Sequence, residues 1–430
     1  MRYGAATAAY QIEGGWDADG KGPSIWDAFV REPGRIRNGE TGDVACDHYN
    51  RWREDVELMA ELGLQAYRFS ISWSRVLAAG EGRVNEQGLA FYDGLVDALL
   101  EHGIEPWVTL HHWDLPLALY ERGGWESPES PRWFAEFAHV VAERLGDRVE
   151  TWLTLNEPQV MAGAGYLTGE HAPGRKEPRT FVRIADSLLH AHAAGADAVR
   201  AAAPNARVGI ALNMSPVEPA SDSEEDAAAA HRVDGALNRW FLDPVFGRGY
   251  PEDLREWYGF EGEPPAPVPP DVIGVNYYFR QLVCAEPGSW LGAVQVEPEG
   301  VPKTDMGWEI HPDGLRDVLA RVRDDYGPAL LAVTENGIAT EGIEDPARID
   351  YLREHVARAE GLADAYFVWS LLDNFEWARG YAMRFGLVHV DYETLERRVK
   401  ASGRWYRDHI RSAASRGIVP VRGQSPEPSM

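Results

Sequence analysis

Two short stretches carry the residue types best suited to chemistry. "TLNEP" (154–158) closes an apolar run on Asn156, Glu157 and Pro158, and "VTENG" (333–337) closes another on Glu335 and Asn336. A single Glu at a strand end is usually a solvated side chain beside a turn. Two of them, each next to an Asn at the same point of a run, suggest a pair. One carboxyl group that is protonated and one that is ionised can attack a glycosidic bond together. The first gives its proton to the leaving oxygen, and the second adds to or stabilises the anomeric carbon.

Such a pair requires elements that bring distant segments to one place. Eight nearly continuous apolar runs are candidate parallel strands, covered on both faces. They are "YGAATAAY" from residue 3, "AYRFSISW" from 66, "EPWVTLHHW" from 105, "TWLTLNE" from 151, "RVGIALNM" from 207, "DVIGVNYY" from 271, "LLAVTENG" from 330 and "AYFVWSLL" from 365. Amphipathic segments separate them. One has Phe134, Phe137, Ala138, Val141 and Leu145 on one face, with Ser130 as its expected cap and Gly146 at its end. Another has Leu315, Val318, Leu319, Val322 and Tyr326 on one face, followed by Gly327. This alternation predicts an α/β fold, a single (β/α)8 TIM barrel with extended βα loops at the carboxyl face. The barrel domain is expected over 1–412, with a poorly ordered tail over 413–430. An open doubly wound sheet would open with a Gly-rich phosphate loop, which "AATAAYQIEGG" is not.

Active sites of such barrels form at the carboxyl ends of the strands. The polar residues there are Gln11 and Glu13, Arg68, His111, His112 and Asp114, Asn156 and Glu157, Asn276 with Tyr277 and Tyr278, Glu335 and Asn336, and Trp369 with "DNFEW" (373–377). His111 and His112 are adjacent on a strand and point to opposite faces, so they do not suit one metal ion. Asp43, Asp47 and His48 in "GDVACDHY" are read as loop hydrogen-bonding groups, and Glu13 as a structural one.

Composition narrows the partners. Forty-two Lys and Arg against 68 Asp and Glu give a formal charge of −26, which repels phosphate backbones and anionic lipids. Neither nucleic-acid nor membrane partners are expected. No run approaches the ~18 apolar residues of a membrane span. Two cysteines fit a reducing compartment, and the expected location is cytoplasmic. The 16 Trp suit sugar faces, and equally a large core.

"YQIEGGW", "YRFSISWSR", "HHWDLP", "TLNEP", "VNYY", "TENG" and "WSLLDNFEW" together resemble the retaining β-glycosidases of glycoside hydrolase family 1, the β-glucosidase family. The resemblance runs from Gly4 to about Ile410. It implies that Glu157 is the general acid/base and Glu335 the nucleophile, with Arg68 and Tyr278 supporting Glu335 and Asn276 nearby. It implies that Asn156 holds the sugar's 2-hydroxyl, and that Gln11, His112, Glu376 and Trp377 hold the 3-, 4- and 6-hydroxyls. Trp369 is the implied floor of the sugar pocket, Trp308 an aglycone platform and Phe385 a wall. The implied reaction is double displacement on terminal β-D-glucosyl residues, as in cellulose degradation, with a small-molecule β-glycoside as partner and no cofactor or metal.

Several alternatives stay open at this point. Galactoside or fucoside specificity and transglycosylation are compatible with the same residues. A 6-phosphoglycosidase usually has Ser where Glu376 stands, and a thioglucosidase lacks the acid/base Glu. A sugar-binding protein without catalysis would not need both Glu157 and Glu335. Family members usually carry several residues before the first strand, where this chain has only "MRYG". The foot of that strand is therefore expected to be thinly covered, or the true start to lie upstream. Oligomeric state is not legible.

Overall fold

The computed structural model describes residues 1–415. Eight strands follow one another along the chain: β1 (Arg2–Ala6), β2 (Ala66–Ser70), β3 (Glu105–His111), β4 (Thr151–Asn156), β5 (Arg207–Asn213), β6 (Val272–Asn276), β7 (Leu330–Asn336) and β8 (Ala365–Trp369). All pair in parallel with their sequence neighbours, and β1 pairs with β8 to close the barrel. Seven of the eight apolar runs contain a whole strand, and the first contains all of β1 but Arg2.

The barrel interior is filled by a few large side chains set among small ones. Trp107 and Phe367 meet across it with ring centroids 4.9 Å apart, surrounded by Ala6, Ala66, Leu153, Ala211, Ala332 and Ala365. Gly4 makes room for them. A Cβ there would lie 2.7 Å from the Phe367 ring and 2.5 Å from Ala66 O.

The principal helices lie outside the barrel, one of them, Glu224–Asp234, against a small separate three-stranded sheet. These are α1 (His48–Glu61), α2 (Glu86–Glu101), α3 (Ser130–Leu145), α4 (Phe181–Ala202), α5 (Glu224–Asp234), α6 (Pro312–Arg321), α7 (Pro346–Ala359) and α8 (Ala401–Ser415). In α3 the five apolar residues of the expected face are all fully buried. Its start differs from expectation. Glu129 occupies the cap position, Ser130 lies inside the first turn, and its hydroxyl caps nothing. The expected face of α6 continues through a wider π-turn over Val322–Tyr326, which Gly327 ends in the left-handed conformation that glycine favours.

The foot of β1 is well covered. Tyr3 is buried edge-on against Tyr406 and His409 of α8, and the Tyr406 hydroxyl donates to Gly4 O at 3.1 Å. Helix α8 continues through Ser415, past the boundary expected at residue 412. The rest of the expected tail, 416–430, lies outside the described residues.

Candidate active site

Glu157 is the first residue after β4 and adopts φ 50°, ψ 59°. That left-handed conformation costs a non-glycine residue about 1–3 kcal/mol and gathers at functional positions. Trp113 (φ 82°) and Trp377 (φ 48°) share it and line the same cavity. Pro158 then opens a short helix, Pro158–Ala162. Glu335 is placed by a different device. The pairing of β7 with β6 shifts register between Val333 and Glu335, a bulge that re-aims the strand end. The pairing of β4 with β5 also shifts, between Leu153 and Asn156.

Both carboxyl groups line one cavity of about 340 Å³ at the carboxyl end of the barrel. His112, Tyr278, Trp308, Trp369, Glu376, Trp377 and Phe385 share its wall. Gln11, Arg68, Asn156 and Asn276 form a fully buried layer behind that wall. So the structure gathers every residue to which the resemblance gives a role, in two layers.

The two carboxylates have unlike partners. Glu335 receives Arg68 Nη1 on Oε1 at 2.7 Å and the Tyr278 hydroxyl on Oε2 at 2.7 Å. Glu157 receives only amides on Oε1, from Asn276 Nδ2 at 2.8 Å and Asn213 Nδ2 at 3.0 Å. Asn276 lies near Glu335 as expected and lowers its pKa, while its amide also donates to Glu157. Burial raises the Glu157 pKa to about 8, helped by the negative charge of Glu335. Burial raises Glu335 as well, while Arg68 and Tyr278 pull it down. Removal from water outweighs the guanidinium, so the net shift of Glu335 is upward. The pair is still asymmetric, since a cation and a phenol hydrogen-bond to Glu335 and not to Glu157. One proton shared by this pair belongs on Glu157.

Asn156 locks the layer beneath. Its Oδ1 accepts from Arg68 Nη2 at 2.6 Å and Asn276 Nδ2 at 3.0 Å, so its Nδ2 faces His112 Nε2 at 3.0 Å. An amide nitrogen only donates, so His112 accepts at Nε2 and carries its proton on Nδ1. That Nδ1 has no protein partner, and neither has Gln11 Oε1. A buried donor and a buried acceptor left open are what sugar hydroxyls can satisfy. Burial holds His112 well below the usual histidine range, so it stays neutral.

Gln11 Nε2 donates to Asn374 Oδ1 (3.0 Å) and Phe375 O (2.9 Å) and lies 3.4 Å from Glu376 Oε2. Glu376 is pushed up to about 8 by burial and by the Glu335 charge, offset in part by hydrogen bonds from Trp369 and Gln11. The Trp369 ring lies stacked beside His112 at 5.8 Å, and Trp377 is stacked beside Tyr10 at 6.1 Å. On the outer side Trp308 is half-buried, stacked on Phe279 at 5.2 Å and near Tyr278 and Phe385. The other candidates have structural partners. His111 turns away from the cavity among Trp73, Trp125 and Phe134. Glu13 binds Arg75 (2.9 Å) and Tyr92 (2.6 Å). Asp43, Asp47 and His48 separate to Arg31, Arg51 and Asp55.

A family model described as glycosyl hydrolase family 1 matches residues 1–414. The chain belongs to glycosyl hydrolase family 1. It is therefore a glycoside hydrolase. It is 46% identical to beta-glucosidase A of Thermotoga maritima, over 95% of this chain and 96% of that protein. It is 43% identical to a bifunctional beta-D-glucosidase/beta-D-fucosidase of Bifidobacterium breve, over 96% and 98%. The solved family 1 β-glucosidase from Thermotoga maritima superposes with a TM-score of 0.91 at 46% identity, covering 96% of this chain and 97% of that one. The same enzyme has been solved in complex with glucoimidazole, with a TM-score of 0.90 at 45% identity, covering 96% and 98%.

Several residues of this family 1 site escaped the sequence reading. Asn213 ends β5 as Asn156 ends β4, so the strand-end rule would have found it. Trp113 donates its indole N–H to Asn156 O at 2.9 Å, and Gln159, His171 and Arg379 complete the rim. Gln159 and Arg379 lie in single short turns and His171 in a loop, none with a periodic signal to place it.

Proposed function

We propose that this chain is a retaining, exo-acting β-glucosidase that removes terminal β-D-glucosyl residues by double displacement. The observation that carries the reading is the unequal surroundings of the two carboxyl groups. Glu157, buried among amides, holds the proton and delivers it to the glycosidic oxygen. Glu335, held anionic by Arg68 and Tyr278, attacks the anomeric carbon. The C–O bond to the aglycone breaks, and an ester to Glu335 forms. Esterification removes the negative charge that had raised Glu157. Its pKa falls, it becomes a base, and it takes a proton from the water that cleaves the ester. In this reading Asn156 serves the 2-hydroxyl, Gln11, His112, Glu376 and Trp377 the other hydroxyls, and Trp369 the ring face.

Glucose as the preferred sugar is supported by relatives named beta-glucosidase or 1,4-beta-D-glucan glucohydrolase. A second reading, fucosidase or galactosidase side activity, is favoured by the bifunctional relative and by the Thermotoga maritima complex with a galacto-hydroximolactam. A 6-phosphoglucoside is disfavoured, because a phosphate would meet Glu376. Among the described residues no helix is long and apolar enough to cross a membrane, and both cysteines are free. With the acidic composition these support a cytoplasmic enzyme acting on a small-molecule glycoside.

The test uses Glu335→Gln and Glu157→Gln with 2,4-dinitrophenyl β-glucoside. Glu335→Gln should abolish turnover. Glu157→Gln should still form the intermediate, and azide should restore its breakdown as β-glucosyl azide. Azide rescue in the Glu335 variant instead would reverse the two roles, and an α-anomer as first product would exclude retention.

A further inference from the structure

The loop after β8 carries Glu376, Trp377 and Phe385, yet its regular structure is a single short turn, Trp377–Arg379. Its anchor lies behind it. Asp373 is fully buried, and its Oδ1 accepts from Lys400 Nζ at 2.7 Å and from the Gly386 N–H at 2.9 Å. Its Oδ2 accepts from Arg384 Nη1 at 2.8 Å. Lys400 is fully buried as well, immediately before α8, with its backbone N–H donating to Leu387 O at 2.9 Å.

Taking both ions of a pair out of water costs several kcal/mol each, and apolar residues of similar volume often stabilise a fold as well. Position is therefore the better account of this pair than stability. The next residues show what it positions. Asn374 Nδ2 donates to Ser370 Oγ (2.9 Å) and Leu372 O (3.0 Å), and its Oδ1 receives Gln11 Nε2. The Phe375 N–H donates to Gln11 O at 3.1 Å. Asp373 thus fixes one end of the stretch that sets Glu376 against Gln11.

We propose that Lys400, acting through Asp373, is a positioning residue for the sugar's 4- and 6-hydroxyls, keeping Glu376 where it and Gln11 can both reach the ring. The inference rests on reading Gln11 and Glu376 as sugar contacts. It is tested in the full chain with 4-nitrophenyl β-D-glucoside and β-D-xyloside, the second lacking the 6-hydroxymethyl group. Glu376→Gln serves as the reference variant. Lys400→Met should lower kcat/KM for the glucoside about tenfold more than for the xyloside, as for one lost hydrogen bond to a charged group, and mainly through KM. Lys400→Arg should recover most of that selectivity. If Glu376→Gln shows no such selectivity, the reading of the sugar contacts fails, and the positioning proposal fails with it. If Glu376→Gln is selective but Lys400→Met weakens both substrates equally, or neither, only the positioning role is overturned. Should Lys400→Met not fold, Asp373→Asn decides by the same comparison.

Discussion

Arg68 and Glu335 are joined at 2.7 Å in a buried ion pair, and the other end of the same guanidinium holds Asn156 at 2.6 Å. One side chain from β2 therefore ties together the strand ends that supply both carboxylates. The bond to Glu335 favours its anion, and the bond to Asn156 sets which way that amide faces.

Arg68→Met should cut kcat for an aryl β-glucoside by about 100-fold or more, in the range expected when a charged partner is removed from a reacting group. The sign for pH follows from burial. Arg68 lowers the Glu335 pKa against a desolvation that raises it, so its removal raises that pKa. The acid limb of kcat/KM should move to higher pH. A fall in rate with an unmoved limb would mean that Arg68 only shapes the site.

The basic limb reports the proton on Glu157. It should lie near the value of about 8 set by burial and the Glu335 charge, with activity falling as pH rises through it. Asn213 Nδ2 donates to Glu157 and so favours the anion. Asn213→Ala should therefore raise the Glu157 pKa and carry the basic limb to higher pH. A shift to lower pH would contradict this wiring. Because the two acids interact, the measured limbs belong to the pair.

Trp308→Ala removes the outer aromatic wall. KM for 4-nitrophenyl β-glucoside should rise about tenfold, equivalent to ~1.4 kcal/mol of lost ring contact. Methyl β-glucoside, which has little aglycone to lie on that wall, should be nearly unaffected. Equal losses on both substrates would place Trp308 in the sugar pocket instead.

Gly337 lies just beyond Glu335, where a Cβ would stand 1.7 Å from Trp369 O. Backbone cannot rotate out of the way as a flexible side chain can. Gly337→Ala should cost about 1–3 kcal/mol of stability by overpacking. Activity should fall with it, since Glu335 and Trp369 would be pushed apart. Unchanged melting temperature and kcat/KM would show that the two strand ends are not tightly coupled.

The sequence by itself determined the barrel and many of the residues that meet at its mouth. Eight apolar runs broken by amphipathic helices leave few other ways to bury that much surface, and parallel strands must then present their carboxyl ends together. The functional residues were legible because chemistry places polar groups such as Asn156, Glu157 and Glu335 where an apolar run should simply stop. Only the tertiary structure decided how those groups are aimed and charged. The left-handed turn at Glu157, the bulge before Glu335 and the direction of the Asn276 amide depend on backbone geometry and on neighbours remote in the chain. The net pKa shifts depend on how much water the closed mouth excludes, a property of the packed molecule that no local spacing encodes. Asp373 and Lys400 make the same point. Nothing local in the sequence pairs them, and folding places both in the interior, one bound to the other.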